Sequence, residues 1–174
     1  PHEESNPPRY DGTTHWHRVK AGPRDKSVQE TEARALINWV KTHFETTAYQ
    51  RLPQSIGIVS PFRDQVNCLT ELAQEMLPIH VFPRHALRIG TPDRFEGNER
   101  DIMLCSFGTH DEPTIKEIRR LDDHSLVNVL FSRALLELHL FSSFDIAQFP
   151  PTHHLRLVHG QNTASHLPET KYPT

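Results

Sequence analysis

Four short apolar runs alternate with stretches of helical periodicity along this chain: SIGIVS at 55–60, LRIG at 87–90, IMLCSF at 102–107 and ELHLFS at 137–142. Runs this short and this poor in polar residues suit strands covered on both faces. Their alternation with helices predicts an α/β domain with a mostly parallel sheet and helices on both faces, the doubly wound arrangement. Little else about the chain constrains the fold as strongly.

The stretches between the strands carry their own signals. Residues 28–46 place Ala33, Leu36, Ile37, Val40 and Phe44 at helical spacing, behind an S-x-x-E capping-box pattern at Ser27 and Glu30. Ser60 and Pro61 predict that a second helix starts at once, because proline suits the first helical position. Phe62, Val66, Leu69, Ala73 and Met76 line its inner face, and Pro78 helps to end it. IHVF at 79–82 reads as a short edge strand and TIKEIRRL at 114–121 as a surface helix. SLVNVLFSRALL at 125–136 reads as a helix with Leu126, Val127, Leu130, Phe131 and Ala134 inward.

Prolines and histidines crowd both ends. Residues 1–22 and 150–174 are therefore expected to be irregular, ordered only by docking, around one folded domain over 23–149. A length of 174 residues suits a single domain with a sizeable core. The chain starts at Pro1 rather than methionine, so an excised piece of a longer protein is expected. A net charge of -3 excludes a global basic signature, though not a local basic face. No apolar run is long enough to span a membrane, and no signal peptide is expected. Cys68 and Cys105 sit in apolar runs and read as buried free thiols. They point to a reducing, intracellular compartment, cytoplasmic or nuclear.

Open parallel sheets take ligands at the carboxyl ends of their strands. Three polar segments are expected there: residues 60–65, residues 91–101, and the helix carrying Arg133. The middle one packs Asp93, Arg94, Glu96, Glu99, Arg100 and Asp101 between two apolar runs.

SIGIVSPFRDQ, IGTPDRFEGNERDIMLCSF and VNVLFSRALLELHL occur in that order over about residues 55–142. Together they resemble motifs IV, V and VI of superfamily 1 helicases, in the branch with RNA-surveillance and replication members. Thr91, Asp93, Phe95, Gly97, Glu99 and Asp101 match the second motif in register; Asn128, Val129, Arg133 and Ala134 match the third. The region from Trp16 to Val40 is also similar to the strand and acidic-capped helix of that family. The resemblance implies the second RecA-like motor domain of a helicase, a three-layer fold of the P-loop NTPase type.

Such a motor splits its ATP site between two domains, and one supplies an arginine that stabilises charge in the transition state. By resemblance Arg133 is that arginine finger, Glu99 lies near the ribose, and Gly97 permits a tight turn. Ser60 and Thr91 hydroxyls, with nearby amides, would bond phosphates of single-stranded DNA or RNA without reading sequence. Pro61 or Phe62 would touch a base or sugar. Phe62 also fits its helix's apolar stripe, and Ser60 also suits simple capping; both pairs of readings stand. Arg63 resembles a basic residue of the family whose role is open. The charges of Asp93, Arg94, Arg100 and Asp101 are expected to pair with each other and with the partner domain.

Departures matter as well. Glu96 replaces the family's glutamine, Ser132 its threonine, and Leu135 a basic residue. No G-x-x-x-x-G-K-[ST] loop occurs, nor a strand ending in paired acids. ATP and Mg2+ would therefore be held mainly by the first motor domain of the same chain, and these residues alone should bind no cofactor and hydrolyse no ATP. The alternative is a degenerate helicase-like domain kept for protein binding, or an unrelated doubly wound binding domain. His15-x-His17 puts two potential ligands on one strand face. Without C-x-x-C or H-E-x-x-H no metal site is expected, and neither cysteine has the electropositive setting of a nucleophile.

Overall fold

The structure, a computed structural model, describes residues 13–23 and 28–157. Among the described residues five strands form one sheet: β1 (Thr13–Arg18), β2 (Ile56–Val59), β3 (Arg88–Gly90), β4 (Arg100–Ser106) and β5 (Ala134–Ser142). Their order is β1-β5-β4-β2-β3, and every pairing is parallel. The helices are α1 (Glu30–Thr47), α2 (Arg63–Met76), α3 (Val81–Arg84), α4 (Ile115–Leu121) and α5 (His124–Arg133).

Two apolar clusters lie on opposite faces of the sheet, which makes the three layers. On one face Ile56, Ile58, Ile102 and Leu104 meet Ala33, Leu36, Ile37 and Val40 of α1 and Leu69, Leu72 and Ala73 of α2. On the other, Val59, Met103, Cys105, Leu138 and Leu140 meet Leu126, Val129 and Leu130 of α5. All four residues of β2 are buried, the reason its sequence shows no alternation. Gly57 is required there: a Cβ would sit 2.5 Å from Met103 Sδ and 2.8 Å from a ring carbon of Phe95.

Several boundaries differ from expectation. α1 starts at Glu30 with Gln29 at its N-cap and no side-chain capping bond. Glu30 is thus the first helical residue and pairs with Arg34 at 3.0 Å; Ser27 lies outside the described residues. α2 starts at Arg63 rather than Pro61, because Ser60, Pro61 and Phe62 form a bend. Residues 79–82 are not an edge strand. The Val81 amide bonds back to Pro78 O, Val81 is buried, and the chain coils into α3. The capping box that does form is at α4, between Thr114 and Glu117.

Residues 13–18, expected to be irregular, are the edge strand β1, with Val19 N–H also bonded to Ser142 O. β5 begins at Ala134, three residues early, because pairing with β4 captures Ala134 opposite Arg100. Between Arg100↔Ala134 and Ile102↔Glu137 the register shifts, so Leu135 and Leu136 together oppose Asp101 in a bulge. The stretch after residue 150 docks in part: Leu155 is buried, and the buried His153 ring faces Ile118 O at 2.8 Å. Residues 158–174 lie outside the described set. Among the described residues no helix is long and apolar enough to cross a membrane.

Candidate functional site

The parallel topology separates the expected site residues into two groups on opposite edges of the sheet. Ser60 follows β2 and Thr91 follows β3, both at the carboxyl edge. Arg133 immediately precedes β5, and Glu99 immediately precedes β4, so both lie at the amino edge. The expectation that the Arg133 helix sits at the carboxyl edge is therefore corrected: a helix feeding directly into a parallel strand ends where that strand starts.

At the carboxyl edge Ser60 and Pro61 are buried and Phe62 is half-buried against the core. Ser60 Oγ accepts from the Phe62 amide at 3.4 Å, which closes the bend before α2. Thr91 is partly exposed, and its hydroxyl donates to the Asp93 carboxylate, holding that acid below the usual carboxylate range. From Thr91 the chain runs through a single 3-10 turn, Pro92–Phe95, whose Phe95 is fully buried. Gly97 then turns the chain with φ +71° in open space, a conformation that favours glycine. This one loop thus runs from the carboxyl edge to the amino edge.

At the amino edge Glu99 is exposed, and Ala134 pairs with Arg100, so Arg133 and Glu99 flank the same ladder position. α5 packs on the 3-10 turn. Arg133 Nε is enclosed, and the guanidinium has no hydrogen-bond or ion-pair partner among the described residues. The loop charges do not pair as expected. Asp101 Oδ2 accepts from Ser55 N at 2.7 Å and Ser55 Oγ at 3.1 Å, clamping the starts of β2 and β4. Arg100 donates to Glu99 O at 2.9 Å. Among the described residues Asp93, Arg94, Arg100 and Asp101 form no salt bridge with one another.

Sequence reasoning missed a buried polar network behind the carboxyl edge. Glu32, in the first turn of α1, accepts from Ser106 Oγ at 2.7 Å and Gly108 N at 2.8 Å. Ser143 Oγ reaches its other oxygen at 3.4 Å. Gln65 donates to Ser106 Oγ and to Gln29 O, both at 2.9 Å, and accepts from Gln29 N at 2.8 Å. Gln29 Nε2 contacts the buried His110 ring at 2.8 Å. Burial raises the Glu32 carboxyl to about 7, against these hydrogen bonds, which pull it down. The signal was available: Glu32 and Gln65 stand on the inward stripes of their helices, four residues before Leu36 and Leu69.

A second polar group lies on the α1 face. His15 pairs in register with His139 of β5, and Thr13 with Glu137. His17 Nε2 and His139 Nδ1 are 2.8 Å apart, and His139 Nε2 and Glu137 Oε2 are 2.8 Å apart. Burial, together with the facing histidines, holds His15 below the ordinary imidazole range and His17 at about 3. Cys105 is buried, and burial pushes its thiol well up, away from nucleophilic chemistry; Cys68 is only half-buried.

Comparison with known proteins adds the following. The AAA domain family matches residues 8–144. DNA polymerase alpha-associated DNA helicase A of Saccharomyces cerevisiae is 28% identical over 110 residues, 63% of this chain and 15% of that protein. The DNA replication ATP-dependent helicase/nuclease DNA2 of Mus musculus is 27% identical over 123 residues, 70% of this chain and 10% of that protein. The Regulator of nonsense transcripts 1 homolog of Drosophila melanogaster is 29% identical over 114 residues, 66% of this chain and 9% of that protein. The chain therefore spans only 9–15% of the length of these relatives. Among solved structures, the C-terminal domain of a possible DNA helicase from a Lactobacillus superimposes with TM-score 0.45 at 14% identity, covering 80% of this chain and 76% of that one. That overlap is loose, and the fold stands on the strand order itself.

Proposed function

Because this chain belongs to the AAA domain family and is a helicase-like domain with a RecA-like fold, we propose that it is the second half of a split, ATP-driven motor on single-stranded DNA or RNA. Arg133 carries the reading. A guanidinium with an enclosed Nε and no acceptor of its own suits an acceptor delivered from outside the domain. Its fork bonds two phosphate oxygens at once and stays charged throughout. In this role it neutralises charge that develops on the transferring phosphoryl group as ATP is cleaved.

Glu99 stands exposed beside it, where its carboxylate accepts from ribose hydroxyls. Gly97 gives the turn that brings Glu99 there. Phosphate cradling and Mg2+ binding fall to a first motor domain, since no phosphate-binding loop occurs in these residues. At the opposite edge, Ser60 and Pro61 shape the bend while Thr91 and the open side of Phe62 meet the strand's phosphates, sugars and bases. The loop between Thr91 and Glu99 then links nucleic acid to nucleotide.

The test is Arg133→Ala in a longer chain that includes a first motor domain. ATP turnover stimulated by single-stranded nucleic acid should fall about 10³-fold or more, with strand affinity little changed. Turnover within about threefold of the parent would remove Arg133 from the reaction. The bulged, half-exposed Leu135 and Leu136, at 46% and 48%, favour one second reading, a domain kept for protein docking. A folded longer chain without ATPase activity would select it.

A further inference from the structure

We propose that His15, Glu137 and His139 form a divalent transition-metal site, of the zinc type, that ties the edge strand β1 to β5. The backbone brings the three together. His15 and His139 are parallel-strand partners, and Glu137 precedes His139 by two residues, so all three project from the α1 face. One ligand atom from each lies within 4.8 Å of the others. Two imidazoles and one carboxylate are a donor set that zinc takes when it keeps an open fourth position.

The surroundings also suit a metal. His139 is 4% exposed in its side chain and Glu137 34%, so the cluster is shielded on one side and reachable from the other. His139 aims Nε2 at the carboxylate and presents Nδ1 to His17, 2.8 Å away. His17 on the far ring nitrogen fixes tautomer and ring orientation, the part that a carboxylate, carbonyl or water more often plays behind a metal-bound imidazole. Trp39 lies 4.3 Å from the His139 ring, ring centre to ring centre, and supports it from α1. Tetrahedral zinc needs donor atoms about 3.3 Å apart. The ligand atoms, now within 4.8 Å of one another, therefore close by up to about 1.5 Å. His15, stacked on His139 with ring centres 4.5 Å and planes 11° apart, turns its ring so that both lone pairs meet one ion, a rearrangement open to a half-buried side chain on an edge strand.

The experiment is titration of the whole, chelator-treated chain with Zn2+ and Co2+. Expected are one tightly bound equivalent, a visible d–d spectrum with Co2+, and a rise in Tm of about 5 °C or more at saturating Zn2+. His15→Asn and Glu137→Gln, both at half-buried positions, should each weaken binding at least tenfold while their circular dichroism stays native. His80→Asn and His154→Asn should leave it unchanged. No binding by the native chain at about 100 µM metal, far weaker than any site of this type, overturns the proposal. So does binding that survives both ligand substitutions, which would assign the metal to other histidines of the chain.

Discussion

Glu32→Gln isolates the buried network from the rest of the molecule. Glu32 is fully buried and holds its proton up to about pH 7, whereas an ordinary glutamate releases it near 4.5. Between those limits the folded chain binds a proton that the unfolded chain has lost. The stability tied to this group is therefore fully present below about pH 4.5 and is lost as pH rises through about 7. Each pH unit in that window is worth about 1.4 kcal/mol, so the whole loss is about 3 kcal/mol. Glutamine preserves the shape. Its carbonyl oxygen still accepts from Ser106 Oγ and Gly108 N, and its amide donates towards Ser143 Oγ.

His15, His17 and His43 work in the opposite direction. Their depressed imidazoles contribute stability that is lost as pH falls below about 6.5. A single curve would mix the two effects, so the difference between variant and parent is the quantity to measure. Urea unfolding followed by Trp16 and Trp39 fluorescence at pH 5, 6, 7 and 8 supplies it. The Glu32→Gln variant should gain about 2–3 kcal/mol on the parent between pH 5 and pH 8. Parallel stability curves would refute the argument, because they would mean that Glu32 is as ionised in the folded chain as in the unfolded one.

Two further substitutions probe the loop between the sheet edges. Gly97→Ala should cost about 1 kcal/mol by forcing a side chain into the left-handed region, and Gly97→Asn less; denaturation midpoints without a change in slope would show it. Asp101→Ala removes the acceptor of Ser55 N and Oγ and should cost about 1–3 kcal/mol, with faster amide exchange at the start of β2 as the local readout.

The sequence announced the central strands because burial on both faces removes polar residues from them, as in Ile56–Val59. Apolar patterning did not mark β1, because an edge strand tolerates polar residues and β1 carries Thr13, Thr14, His15 and His17; only the family resemblance from Trp16 onward hinted at a strand there. The error at 79–82 came from reading β-branched residues while two flanking prolines, Pro78 and Pro83, set the local geometry. The end of α5 was hidden because Ala134, Leu135 and Leu136 are good helix formers whose conformation is decided by pairing with β4. The candidate residues could be named one by one, but their division between two edges could not be read, since it depends on strand direction. The Glu32 network escaped because a search for apolar periodicity passes over polar residues that occupy the same stripe.

The place of β1 in the sheet also sets an order of events for the newborn chain. Of the five described strands, β1 is made first, lies at the sheet edge and pairs with β5, the one made last. His17 waits for His139, 122 residues later, which at about 5–20 residues per second is about 6–24 s of synthesis. β2, β3 and β4 can assemble during that interval while β1 has no β5 to pair with. Closing the sheet is then a long-range step that comes last, and a ribosome that stalls before β5 would leave β1 free for chaperones or for a neighbouring chain.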